Sequence, residues 1–70
     1  MSTLPRGLGR SIQDHRVTAG LPREQLALQV GRTAGTVANW ERGRVIPPPG
    51  VMLRIAEALG CSFAELAGDE

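Results

Sequence analysis

From Leu8 onward the apolar positions recur at helical rather than strand spacing. Leu8, Ile12, His15 or Arg16, and Ala19 fall on one face and predict a first helix that Gly20 closes. Pro22 opens a second helix, because a proline in the first turn lacks only an N–H that would have no intrahelical partner. Leu26, Ala27 and Val30 form its inner face, and Gly31 stops it. Thr33 suits the N-cap of a third helix, since its hydroxyl can accept from a free first-turn N–H. Val37 and Trp40 are three apart on that helix, and Gly43 ends it. Pro47, Pro48 and Pro49 exclude Arg44–Gly50 from helix interior. A fourth helix is predicted from about Val51 to Leu59, with Met52, Ile55, Ala56 and Leu59 inward and Gly60 closing it. Ser62 with Glu65 three residues on is a capping box that starts a short fifth helix, Phe63 to Ala67. No segment alternates, or is rich enough in β-branched residues, to read as a strand. The expected fold is all-α, a compact five-helix bundle over residues 8–67. A flexible arm at 1–7 precedes it, and an acidic tail at 68–70 follows.

One unit within this pattern is more specific than the rest. Between Arg23 and Arg42 two short helices are separated by a turn of three or four residues. When such helices meet steeply, the middle of the first must be small, and Ala27 stands there. The turn needs a residue that tolerates the left-handed conformation, which Gly31 supplies. The second helix needs a branched apolar residue facing back into the domain, which Val37 supplies. Leu26, Val30 and Trp40 fill the remaining inner positions, and the whole reads as a helix-turn-helix.

Composition and charge narrow the function. Seventy residues suffice for one domain. Trp40 and Phe63 are the only aromatics, so platforms for stacking single-stranded bases are nearly absent. Cys61 cannot form an intramolecular disulfide, and Cys61 with His15 falls short of the usual four zinc ligands, so no cofactor or metal is expected. His15 is left at the surface or edge of the first helix. No run of about 18 apolar residues exists to span a membrane, and Met1–Arg10 holds no apolar segment of signal-peptide length. A soluble, cytoplasmic protein is expected. The net charge of +1 hides an asymmetry: residues 1–54 carry all eight arginines against three acids, a net +5, whereas residues 55–70 carry four acids and no base. A basic end and an acidic end suit a domain that offers one face to a polyanion. No glycine-rich phosphate loop occurs, and no serine or cysteine has a base at recognisable spacing, so no enzyme is expected.

The segment AGLPREQLALQVGRTAGTVANWERGRVIPP resembles the Cro/C1-type (Xre-like) helix-turn-helix family. LGRSIQDHR upstream resembles the family's first helix, and MLRIAEALGCSFAEL downstream its fourth and fifth. The most specific features are LA-x-x-VG at Leu26–Gly31 and W-E-R-G at Trp40–Gly43. The resemblance implies a lambda-repressor-like DNA-binding domain, with the helix at about 34–42 in the major groove of double-stranded DNA. It also implies a structural ion pair between Arg16 and Glu41.

On that basis the base-reading candidates are Arg32, Thr33, Ala34, Gly35, Thr36 and Asn39. Asn39 can pair bidentately with adenine, and Ala34 can touch a thymine methyl. Phosphate contacts are expected from Arg10, Arg23, Arg42 and Arg44. The stretch departs from many family members: it has few long polar side chains, and Gly35 costs roughly 1 kcal/mol of helix stability relative to alanine. Pro22 also replaces the polar residue that often caps the second helix. Two readings follow: the helix docks close to the groove floor, or its DNA-reading function is lost or weakened; the first is expected.

A transcriptional regulator, repressor or activator, is the leading expectation. It is expected as a homodimer on DNA, with its dimer surface around Val51, Leu53, Leu59 and Phe63. The alternative is a protein-interaction module on the same fold, such as an antitoxin or a bridging factor whose partner is another protein.

Overall fold

The chain folds into α1 (Leu8–Thr18), α2 (Arg23–Val30), α3 (Ala34–Glu41), α4 (Pro49–Leu59) and α5 (Phe63–Ala67). The computed structural model describes residues 7–68. No strand occurs among the described residues. The arm and tail expected from the sequence lie outside them at 1–6 and 69–70, and their inner ends belong to the fold: Gly7 is the N-cap of α1 and Gly68 the C-cap of α5.

Most boundaries follow from single residues. Gly31 takes φ 72° as the C-cap of α2, and Gly60 takes φ 70° as that of α4. The capping box is complete at α5: Glu65 N donates to Ser62 Oγ (3.0 Å), and Ser62 N donates to Glu65 Oε1 (2.8 Å). The backbone donation holds the Glu65 carboxyl below its usual range, with the hydroxyl contact adding to the effect. Two boundaries differ from expectation. Pro22 is the N-cap of α2, with ψ 159°, rather than its first helical residue. α4 starts at Pro49, two residues before Val51, because a proline fits the first helical position, where its missing N–H costs nothing.

The core is built where the helical faces converge. Ile12, Leu26, Val30, Val37, Ile55 and Leu66 are fully buried, ringed by Leu8, Ala27, Trp40, Met52, Ala56 and Leu59. Burying one large aliphatic side chain is worth about 1.5–3 kcal/mol, so these positions dominate the fold's stability. α2 packs on α3 and α4, and α1 packs on α3 and α5. On α1 the buried polar position is Arg16, while His15 is half-buried and Ala19 is an exposed cap. Val51 and Leu59 are core residues, which removes them from the expected dimer surface; Leu53 and Phe63 remain exposed.

α1 meets the end of α3 at a glycine that periodicity does not mark. A Cβ on Gly9 would lie 2.4 Å from the Trp40 carbonyl oxygen and 2.6 Å from that of Glu41. Both obstacles are backbone, so no rotamer change relieves them. Gly9 lets α1 approach the backbone at the end of α3.

Beside this contact lies the ion pair expected from the sequence, with a third member. Arg16 Nε donates to Glu41 Oε2 at 2.6 Å, and Arg23 Nε donates to Glu41 Oε1 at 2.8 Å. Arg16 Nη1 donates to the Leu21 carbonyl at 2.7 Å, tying in the α1–α2 turn. The Glu41 side chain is 2% exposed and that of Arg16 10%, whereas that of Arg23 is 40% exposed. One carboxylate therefore joins α1, α2 and α3.

Two stability predictions follow from this packing. Gly9→Ala should lower the unfolding free energy measured in urea by a net of about 1–3 kcal/mol, despite alanine's better helix propensity, because the methyl can be housed only by moving backbone. Glu41→Ala should cost about 3–5 kcal/mol in the same measurement, because it strands the buried Arg16 guanidinium. A loss under 1 kcal/mol would mean that Arg16 finds solvent without Glu41.

Candidate nucleic-acid interface

α2 and α3 are joined by a turn built for close packing. Gly31 is left-handed, and a Cβ there would meet no atom within 4 Å, so its requirement is conformational rather than spatial. Arg32 N then donates to the Ala27 carbonyl at 2.9 Å, closing α2 and redirecting the chain. Thr33 follows in extended conformation, and its Oγ1 accepts from Thr36 N at 3.2 Å. Its hydroxyl also shares a hydrogen bond with that of Thr36, at 3.0 Å. Thr33 is thereby tied into the start of α3: its established role is the cap.

With Val37 and Trp40 committed to the core, α3 turns its other positions outward. Gly35 is exposed, while Ala34, Thr36 and Asn39 are half-buried along the helix. A Cβ on Gly35 would find only Thr33 Oγ1, at 3.9 Å. Nothing inside the protein therefore requires glycine at this position.

Cations flank both ends of this face. Before it, the exposed Arg32 donates through Nη1 to the Gly31 carbonyl at 3.1 Å. After it, Arg42 caps α3 and Gly43 turns the chain with φ 77°. The Asn39 carbonyl then accepts from Arg44 N at 2.9 Å. That bond folds the segment back, so Arg42 and Arg44, both exposed, stay beside the last turn of α3. The candidates at Arg32, Gly35, Thr36, Asn39, Arg42 and Arg44 are thus gathered on and around one helix.

Two phosphate candidates sit differently. Arg10 is exposed on α1 and lines a shallow concavity of about 530 Å³ with Gln13, Asp14, Val17, Thr18 and Glu41. Arg23, at the first position of α2, is held by Glu41 and is not a free surface cation. Sequence reasoning missed that bond. The only signal was an acid in the W-E-R-G segment with more than one arginine able to reach it, and spacing along the chain does not rank such partners.

Among the described residues no group of three or more His, Cys, Asp or Glu converges to hold a metal. No buried side-chain nitrogen or oxygen there lacks a hydrogen-bond partner. Burial, helped by Glu65, pushes the Cys61 thiol up, which leaves it a weak nucleophile at neutral pH. No helix among the described residues is long and apolar enough to cross a membrane.

Comparison with known proteins agrees with this geometry. A family described as a helix-turn-helix domain matches residues 7–67. An uncharacterized HTH-type transcriptional regulator of Methanothermobacter thermautotrophicus is 45% identical over 54 residues, covering 77% of this chain and 78% of that protein. The endothelial differentiation-related factor 1 homolog of Gallus gallus is 33% identical over 57 residues, covering 81% of this chain but only 38% of its own length. The crystal structure of the clp gene regulator ClgR from Corynebacterium glutamicum superposes with a TM-score of 0.89 at 25% identity, covering 97% of this chain and 72% of that one. The chain belongs to the Xre-like helix-turn-helix family of DNA-binding transcription regulators.

Proposed function

We propose that this protein is a cytoplasmic, sequence-specific regulator that lays α3 in the major groove of double-stranded DNA. The observation that carries this reading is the division of α3. Val37 and Trp40 are locked in the core, and the outward positions form a slim face between exposed arginines. A slim face lets the helix sit deep, while the arginines meet phosphates on either side. Asn39 and Thr36 are the base readers, with Ala34 offering apolar contact to a thymine methyl. Arg42 and Arg44 grip the backbone after α3, and Arg32 and Arg10 lie within the same basic half of the chain. Thr33 serves chiefly by capping the reading helix.

The functional unit on DNA is a homodimer, whose contact includes the exposed apolar side chains of Leu53 and Phe63. A protein partner is a second reading, favoured by Leu28, which is 75% exposed on α2 and stands outside the buried core.

Three substitutions separate these roles. Asn39→Ala should cost about 1–3 kcal/mol on a selected operator but little on a mixed-sequence duplex, as read by fluorescence anisotropy. Equal losses on both would assign Asn39 to the backbone grip instead. Gly35→Ala should stabilise the free protein by roughly 1 kcal/mol, yet weaken DNA binding, because the helix backbone is meant to press against the groove there. Tighter binding would rule out close docking. Arg44→Ala should weaken all sequences alike and flatten the log–log salt dependence by about one unit.

A further inference from the structure

We infer that Glu41, though buried and remote in role from base reading, is a positioning residue for DNA: it holds Arg23 through Nε so that the rest of that guanidinium is set for a single backbone phosphate. The inference rests on the DNA-binding reading above and adds to it a residue that never touches the nucleic acid.

The case begins with charge. Arg16 already balances Glu41, with Nε at 2.6 Å from Oε2 and Nη2 at 3.4 Å from Oε1. Its third nitrogen is satisfied by the Leu21 carbonyl. The buried carboxylate needs no second cation, yet Arg23 is bound to it at 2.8 Å. Two guanidiniums on one carboxylate leave one positive charge, and it resides where the cluster is wettest, on the 40% exposed side chain of Arg23.

Geometry adds the rest. Among the described residues Arg23 makes its side-chain hydrogen bond through Nε alone. Both Nη groups are left for an external acceptor. The guanidinium fork is one of few side chains that can serve a carboxylate on one edge and a second anion on another. An arginine free in solvent must give up its rotamer freedom when it binds, which weakens the complex. Arg23 gives up much of that freedom on folding instead, because Glu41 fixes its stem. A phosphate monoanion, planar enough in its oxygen pair for bidentate contact, fits the remaining donors. Arg23 also stands at the first position of α2, whose N-cap Pro22 makes no side-chain cap bond.

Arg23→Lys and Arg23→Gln test this without disturbing the buried Arg16–Glu41 pair. Lysine keeps the charge, but its single ammonium cannot span carboxylate and phosphate as the fork does. Each variant would be titrated with a mixed-sequence duplex across a salt series, alongside urea unfolding. The expected result is a salt slope reduced by about one unit in the glutamine variant. The lysine variant should keep the slope but bind about three- to tenfold more weakly. Unchanged affinity and slope in both, with only stability lowered, would overturn the inference by making Arg23 purely structural. Wild-type affinity in the lysine variant with loss in the glutamine variant would also overturn it, since charge without positioning would then suffice. In the wild type, the Arg23 Nε–Hε NMR signal should persist when DNA is added. Its disappearance would mean that Arg23 leaves Glu41 to bind. A wild-type protein that binds no duplex at low salt would overturn the DNA-binding reading itself, and this inference with it.

Discussion

A carboxylate with 2% of its surface exposed sits where three helices meet, and the arrangement of this small fold depends on how it is compensated. Glu41 lies on the last residue of α3, Arg16 on α1 and Arg23 on the first residue of α2. The ionised group is tolerable in that setting only because several donors reach it. Those donors constrain the helices: α1 cannot slide along α3 without breaking the Arg16 bond, and α2 cannot tilt away without breaking that of Arg23. Such a cluster contributes less through net energy than through geometry, since a hydrophobic replacement of equal shape could be as stable. Here the geometry sets the end of α3, the helix whose outer face meets the proposed ligand.

Gly9 works beside the cluster and by a different force. Its missing side chain admits the carbonyls of Trp40 and Glu41 against α1. The close approach brings Arg16, two turns along α1, within reach of Glu41. Packing and electrostatics thus act on the same joint, one by permitting contact and the other by selecting its register. The apolar core beneath holds the remaining helices, with α4 spanning from α2 to α5.

A domain with so small a core has few residues to spare for function, and the division of α3 shows how the demand is met. Its inner positions are large and apolar, while its outer ones are small or polar. The exposed Gly35 weakens the helix for no internal gain. The helix is held by its ends instead: the Thr33 cap at the start, and the Arg44–Asn39 backbone bond and Glu41 at the finish. Stability supplied at the termini leaves the middle of the face free to be shaped by a ligand.

Local chemistry made much of this legible in advance. Helix number, the caps at Thr33 and Ser62, the left-handed Gly31, and the inward placement of Leu26, Val30, Val37 and Trp40 all depend on neighbours within four residues. Periodicity and propensity report such neighbours directly. The Arg16–Glu41 pair was reached by resemblance to a family, not by spacing, because its partners are 25 residues apart. Tertiary structure alone decided the rest. Gly9 matters through carbonyls about thirty residues away, Val51 packs into the core instead of standing at the surface, and Arg23 joined a buried carboxylate instead of standing free. In each case the deciding contact is made across the fold, and one-dimensional order carries no distance between residues that only packing brings together.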